Sequence, residues 1–103
     1  GMNGFMKSAA LELAKHNITI NAVEPGNILT EGMKTAGQEY IDTMIEAIPI
    51  GRLGTPREIG HTVAFLASGK AAFITGQAMA IDGGLGGGII GIAGMVRAGY
   101  KKA

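Results

Sequence analysis

The chain has 103 residues, a length typical of one small domain or of one part of a larger domain. Hydrophobic residues make up 47% of it and charged residues 17%, a composition that argues against disorder along the whole chain. A net charge of +1 gives no electrostatic basis for binding nucleic acid or an acidic membrane, and the absence of cysteine excludes disulfides and thiolate metal sites.

Two histidines and several early charges bear on metal and membrane binding. His16 and His61 lie on separate segments without the spacing of metal ligands, so we predict no metal site. Lys7, Glu12 and Lys15 interrupt the apolar positions near the start, which disfavours a signal peptide, and no stretch of about 20 apolar residues indicates a transmembrane span. The resulting expectation is a cytoplasmic protein that binds no nucleic acid and no membrane.

A helix followed by a strand is predicted at the start of the chain. The helix carries a broad apolar face suited to packing on two sides, and its members are Met2, Phe5, Met6, Ala9, Ala10, Leu11, Leu13 and Ala14. Lys15-His16-Asn17 ends it with positive charge. Residues 18–23 are rich in β-branched side chains and predict a strand, and Glu24-Pro25-Gly26-Asn27 predicts the turn that follows.

Two more helices are predicted in the middle of the chain. Residues 38–48 have a helical apolar stripe formed by Tyr40, Ile41, Met44, Ile45 and Ile48. Thr55-Pro56-Arg57-Glu58 is a capping box with proline at the first helical position, so it predicts a helix start. The buried face of this helix is predicted to comprise Ile59, Val63, Phe65 and Leu66, and Ser68-Gly69-Lys70 ends the helix.

A second strand and a glycine-rich segment complete the chain. Residues 77–81 predict the strand, which Asp82-Gly83-Gly84 ends. Gly86, Gly88 and Gly91 fit the dinucleotide fingerprint formally, but that motif needs a helix, a strand and an acidic residue about 20 positions further on, beyond residue 103. We therefore predict that residues 85–103 form a flexible or weakly helical tail.

The order helix, strand, helix, helix, strand predicts an α/β fold with two parallel strands joined by a helical crossover. Both predicted strands are almost entirely apolar, which is typical of strands covered by helices on both faces. Two strands cannot form such a sheet by themselves. The pattern therefore predicts a sheet that needs further strands, with an open edge and self-association, element swapping or poor order as the consequences.

Three sequence blocks carry a resemblance to a known family. The first comprises residues 7–14 (KSAALELA) and 18–26 (ITINAVEPG), and the second comprises residues 48–59 (IPIGRLGTPREI). The third comprises residues 65–68 (FLAS), 73–77 (FITGQ) and 81–84 (IDGG). Each piece is weak alone, but in this order and spacing the chain resembles the C-terminal part of a short-chain dehydrogenase/reductase, and specifically its bacterial 3-oxoacyl reductase-like members.

This resemblance, which extends over residues 1–84, implies part of a Rossmann-type fold, a doubly wound parallel sheet represented by two parallel strands and about three helices. Residues 85–103 would be an atypical tail. The implied chemistry is hydride transfer between an alcohol or ketone and NAD or NADP. The cofactor-binding residues that the resemblance implies are Pro25, Gly26, Asn27, Ile28 and Thr30.

The resemblance also implies how those residues act. The backbone around Asn27 and Ile28 would contact the nicotinamide carboxamide, and the Thr30 hydroxyl would hydrogen-bond the carboxamide or the pyrophosphate. Gly26 would let the backbone approach the ligand closely. Glu31, Gly32 and Met33 would begin the substrate loop.

The family's catalytic Tyr-x-x-x-Lys would lie just before residue 1. Tyr40 is followed four positions later by Met44, and Tyr100 has no residue at that offset. We therefore expect no catalytic residue in this chain, no hydride transfer by it alone, and no cofactor bound by it alone. A non-catalytic interaction or oligomerisation module and one half of a split enzyme are the alternatives, with a homo-oligomer or a full-length or N-terminal partner chain as the expected partners.

Several charged side chains have plain structural interpretations. A solvated helix face is predicted for Glu39, Asp42 and Glu46. Arg52 and Arg57 flank a helix start, where pairing with Glu58 or a neighbour is favoured over contact with an anionic substrate.

Overall fold

The computed structural model describes residues 1–86; most of the predicted tail and the second and third glycines of the formal fingerprint lie outside the described residues. The elements in chain order are α1 (Met2–Ala14), β1 (Ala22–Pro25), α2 (Glu31–Lys34), α3 (Gln38–Glu46), α4 (Pro56–Leu66), a 3₁₀ turn (Gly69–Ala71) and β2 (Ala78–Ile81). The predicted α/β class is confirmed. The described residues hold one helix more than expected, because Thr30 starts the short helix α2.

The sheet of the described residues consists of β1 and β2 in parallel. Ala22 lies opposite Ala78, and Pro25 lies opposite Ile81. The Ala22 N–H donates to the Gln77 carbonyl at 2.8 Å, and the Gly26 N–H donates to the Ile81 carbonyl at 3.0 Å. The helices α2, α3 and α4 form the connection between the two strands, as parallel pairing requires.

The first strand was predicted over residues 18–23, and this prediction is wrong in its bounds. The Ile20 N–H donates to Thr75 Oγ1 at 3.0 Å, and Ile20 accepts from the Gly76 N–H at 2.8 Å. The Asn21 amide holds the same turn, donating to the Ile74 carbonyl at 3.1 Å and accepting from the Gln77 N–H at 3.0 Å. These partners precede β2, so the strand ladder begins only at Ala22.

Glu24 and Pro25 were predicted in a turn, but they are the last residues of β1. Because alternate residues of a strand direct their backbone groups to opposite sides, the Ala22 and Gly26 N–H groups face β2 and position 25 faces the open edge. Proline has no N–H to donate, so it is tolerated at an edge position.

Burial is concentrated in few side chains, namely Met6, Ala10, Ile48, Leu53 and Ala71. The predicted faces of α1 and α4 are only partly covered, since Phe5 and Leu11 remain 73% and 75% exposed and Val63 remains 47% exposed. Tyr40 and Phe65, also predicted as apolar contacts, are exposed as well. Within residues 1–86 these two faces are therefore packed only in part, with Met6 and Ala10 of α1 buried beside exposed neighbours.

Three further surface features of the described part bear on the sequence predictions. Glu39, Asp42 and Glu46 are exposed on α3, as predicted. None of the helices within residues 1–86 combines the length and hydropathy of a membrane span. In the same range, no group of three His, Asp or Glu side chains is placed to share a metal ion.

The predicted capping box at the start of α4 is confirmed and is extended by an ion pair. Thr55 Oγ1 accepts from the Glu58 N–H at 3.2 Å, and the Thr55 N–H donates to Glu58 Oε1 at 3.0 Å. The Nη1 and Nη2 groups of Arg52 donate to Oε1 and Oε2 of the Glu58 carboxylate, at 2.9 Å and 2.7 Å. The hydrogen bond from Arg52, followed by that from the Thr55 backbone, lowers the pKa of Glu58 to about 2 from 4.5.

The loops that follow the two strands touch at Gly26 and Asp82. A β-carbon added to Gly26 would lie 2.7 Å from the Asp82 Cβ and 2.9 Å from its Cα, so no larger residue fits without displacing the backbone. Asp82 itself holds its turn, because its carboxylate accepts from the Gly84 N–H at 2.9 Å and from the Gly86 N–H at 3.1 Å. Gly26 is therefore required for strand-end packing.

The Glu58 interactions predict an acid-dependent contribution to stability. Because folding lowers the pKa of Glu58, its contribution is fully present above pH 4.5 and is lost as the pH falls towards 2. We expect the difference in unfolding free energy between the unchanged chain and Glu58→Gln to be constant above about pH 5 and to shrink below it. Urea unfolding between pH 6 and pH 2 measures this difference, and a difference that stays constant throughout would contradict the assignment.

The Gly26 contact predicts opposite effects for two glycine substitutions. Gly26→Ala should lower the unfolding free energy by about 1–3 kcal/mol, because the new methyl group meets the Asp82 backbone. Gly60→Ala is the matched control, because Gly60 lies inside α4 and the added carbon would meet nothing within 4 Å beyond its chain neighbours and the backbone of its own helix. This substitution should raise stability by about 0.5–1 kcal/mol. Equal effects of the two substitutions in urea unfolding would argue against the strand-end contact.

Candidate functional site

A cleft of about 350 Å³ opens at the carboxyl ends of β1 and β2. Its walls come from residues 27–28 after β1, from residues 48–54 before α4, and from residues 80–84 around the end of β2, with Glu58 and Ile59 at one side. In open α/β sheets the ligand crevice lies outside the carboxyl ends of the strands. The volume is in the range of small-molecule sites, which start at about 300 Å³.

The turn after β1 is held by Gly54. The Gly54 N–H donates to the Asn27 carbonyl at 3.0 Å, and its carbonyl accepts from the Leu29 N–H at 2.8 Å, which makes Ile28 and Gly54 a parallel bridge. In such a bridge the N–H and C=O of the middle residue point away from the partner. The backbone of Ile28 therefore directs one donor and one acceptor away from Gly54.

The floor of the cleft is formed where the turn before α4 rests on the loop after β2. The Ile50 N–H donates to the Gly83 carbonyl at 3.1 Å. Gly83 has a φ of 63°, and a β-carbon on it would lie 2.8 Å from the Ile48 Cγ2. Glycine is needed here both for the left-handed backbone and for the contact with the buried Ile48.

Thr30 lies next along the chain and caps α2. Its Oγ1 accepts from the Met33 N–H at 3.2 Å, and its hydroxyl hydrogen remains available to a ligand. The predicted substrate loop at Glu31, Gly32 and Met33 is the first part of helix α2, in which Lys34 pairs with Glu31 at 3.1 Å.

The structure brings some of the predicted cofactor residues together and separates others. Asn27 and Ile28 form one wall of the cleft, and Gly26 adjoins it through Asp82. Pro25 is the last residue of β1 and does not line the cleft. Thr30 and the residues of α2 do not line it either. The predicted approach of the Gly26 backbone to a ligand stays a prediction; within the described residues Gly26 lies close to Asp82.

Most cleft residues were absent from the sequence-based site, among them Ile48, Ile50, Asp82 and Gly83. All four belong to the second and third blocks of the family resemblance. The signal was therefore present, as an apolar turn before a capping box and a glycine pair after a strand. Their meeting depends on the register in which β1 and β2 pair, which no local pattern encodes.

Comparison with known proteins identifies the family of the chain. A family model described as Enoyl-(Acyl carrier protein) reductase matches residues 1–86. The 3-oxoacyl-[acyl-carrier-protein] reductase FabG of Vibrio cholerae is 46% identical over 85 residues, which are 82% of this chain and 35% of that protein. The protein of the same name from Staphylococcus epidermidis has the same identity and coverage.

Solved structures give the same result. The 3-oxoacyl-[acyl-carrier protein] reductase of Brucella melitensis superimposes with a TM-score of 0.77 at 34% identity, covering 82% of this chain and 31% of that one. A Serratia marcescens short-chain dehydrogenase/reductase variant gives 0.74 at 39% identity, covering 82% of this chain and 34% of that one. The chain thus spans about a third of the length of the curated relatives it matches. Since the family model covers most of the chain and the fold agrees, the chain belongs to the short-chain dehydrogenase/reductase family and is 3-oxoacyl reductase-like.

Proposed function

We propose that this chain is the C-terminal segment of an NAD(P)-dependent oxidoreductase, in which it holds the nicotinamide end of the cofactor. The carbonyl group reduced would be that of a 3-oxoacyl thioester, by analogy with the names of the reductases it matches. The observation that carries the proposal is the backbone of Ile28, whose donor and acceptor both point away from Gly54 at the carboxyl edge of the sheet. The expected location of the enzyme is the cytoplasm.

The donor and acceptor of Ile28 fit a carboxamide. A carboxamide has an acceptor oxygen and a donor NH₂ side by side, and the N–H and C=O of one residue complement that pair. The Asn27 carbonyl and the Leu29 N–H cannot take this role, because both are already hydrogen-bonded to Gly54. The Thr30 hydroxyl, two residues further on, can donate to the same carboxamide or to a phosphate oxygen.

The role proposed for this segment is to bind and orient the nicotinamide. Hydride transfer also needs an acid that the described residues do not supply. The nicotinamide, when bound, supplies or accepts the hydride. Protonation of the substrate oxygen needs an acid, and the tyrosine among the described residues, Tyr40, is exposed on α3 with Met44 in place of the family's lysine. We therefore propose that the acid comes from another segment or chain, and that these 103 residues alone transfer no hydride.

An activity measurement tests this proposal. Purified chain, supplied with NADPH and a 3-oxoacyl thioester, should show no substrate-dependent loss of absorbance at 340 nm. A chimera that joins this chain to the part of the Vibrio cholerae reductase that it does not match should show such oxidation. In that chimera, Thr30→Val should raise KM for NADPH about tenfold, which corresponds to about 1.4 kcal/mol of lost binding.

Thr43→Val is the matched control, since Thr43 is exposed on α3 and donates to the Glu39 carbonyl within that helix. Its KM for NADPH should equal that of the unsubstituted chimera. Oxidation by the 103 residues alone would refute the proposed inactivity. Equal KM values for Thr30→Val and Thr43→Val would remove Thr30 from the cofactor site.

A second candidate function, a non-catalytic interaction or oligomerisation module, is favoured by the open edge of β1. Within residues 1–86, no strand pairs with this edge, towards which the Val23 N–H points. A groove of about 380 Å³ runs beside this edge, between Thr19, Asn21 and Val23 on one side and residues 63–68 on the other. We propose that another copy, or a full-length or N-terminal partner chain, covers it.

Association of the purified chain tests this candidate. Light scattering should give a mass above 10.5 kDa, and Val63→Lys should lower it, because a charge in the groove resists burial. His61→Lys is the control, since His61 is exposed on the same helix outside the groove lining, and it should leave the mass unchanged. A monomer with a sharp, cooperative melt would count against self-association.

A further inference from the structure

The Glu58 carboxylate binds the chain on both sides of Gly54. Before Gly54, Arg52 donates to it twice, at 2.9 Å and 2.7 Å. After Gly54, the Thr55 N–H donates at 3.0 Å and the Thr55 hydroxyl donates to the same oxygen at 3.2 Å. The backbone of residues 52–55 is therefore wrapped around one carboxylate that is itself fixed on the first turn of α4.

Gly54, at the centre of this wrapped segment, has both backbone groups in use. Its N–H donates to the Asn27 carbonyl at 3.0 Å, and its carbonyl accepts from the Leu29 N–H at 2.8 Å. These two bonds place Ile28 between them. The segment has little freedom to shift, because Leu53 is buried and a β-carbon on Gly54 would lie 2.7 Å from the Ile28 Cδ1.

Helix capping does not account for Arg52. A capping box needs serine or threonine at the N-cap and glutamate or glutamine three residues later, and Thr55 and Glu58 satisfy it without an arginine. Arg52 adds a bidentate pair from the opposite side of Gly54 and a further bond from Nη1 to the Leu53 carbonyl at 3.1 Å. Arg52 therefore ties the start of residues 52–55 to the Glu58 carboxylate, to which Thr55 is bonded at the other end.

We infer that Arg52 and Glu58 are positioning residues that act through Gly54 to hold the backbone of Ile28 in the orientation in which it meets the nicotinamide carboxamide. The functional meaning of this inference rests on the proposed function. The mechanical coupling, from α4 through Gly54 to the turn after β1, is a property of this chain and can be measured on it.

Amide hydrogen exchange followed by NMR tests the coupling on the full chain. Leu29 and Gly54 donate the two bonds of the bridge, and Ala22 and Gly26 in the sheet serve as the internal reference. Arg52→Ala should speed exchange at Leu29 and Gly54 about fivefold relative to the reference, because the segment that carries the bridge loses its bidentate ion pair. Arg52→Lys should restore part of the protection, because it keeps the charge but loses the bidentate geometry.

Two further variants separate the coupling from general stability. Arg57→Ala removes a neighbouring, exposed positive charge and should leave exchange at Leu29 and Gly54 unchanged. Gly54→Val should speed exchange at Leu29 without breaking the Arg52 to Glu58 pair, since the added carbons displace Ile28.

Three results would overturn the inference. One is unchanged exchange at Leu29 and Gly54 in Arg52→Ala, and another is an equal acceleration at Ala22 and Gly26, which would make Arg52 a general stabiliser. The third is the absence of protection at Leu29 and Gly54 in the unsubstituted chain. Failure of the chimera to bind NADPH, with the exchange pattern as expected, would instead refute the proposed function and leave the coupling standing.

Discussion

The contact between Gly26 and Asp82 sets the geometry of the whole carboxyl edge of the sheet. Parallel pairing brings the ends of β1 and β2 side by side, and the missing side chain at Gly26 lets the two loops touch. Once Asp82 is fixed by that contact, its carboxylate shapes the turn that presents Gly83 to Ile48 and Ile50. The cleft, the bridge at Ile28 and the wrapped segment before α4 all lie against this edge.

Sequence predicted the fold best where the determinants are local. The capping box at Thr55 and Glu58 specifies its own hydrogen bonds, so the start of α4 was correct to the residue. The predicted bounds of β1 were wrong because residues 18–21 have the propensity of a strand, but Ile20 and Asn21 bond to the turn before β2. Helical periodicity marked apolar faces correctly as apolar, but it carries no information on whether a partner covers Phe5 or Val63.

The candidate site could be predicted only in part, for a related reason. The family resemblance pointed to the turn from Pro25 to Thr30, and the structure places Asn27 and Ile28 in the cleft wall. The free backbone groups of Ile28 follow from a bridge to Gly54, and the role of Gly83 follows from its contact with Ile48. Rules based on residue spacing do not predict pairings between segments that are distant in sequence, although Gly54 and Gly83, which permit these contacts, can be read from the sequence.

Pro25 has a consequence for any strand that adjoins the open edge of β1. Such a strand can meet the N–H of Val23, which faces that edge, but at the next edge-facing position it meets a ring instead of a donor. Because it finds no donor at Pro25, the incoming strand would lose its hydrogen bond there and diverge from β1 one residue before Gly26. That divergence would keep the space over Ile28 clear, so a proline that weakens the ladder would also act as a spacer that keeps the crevice open.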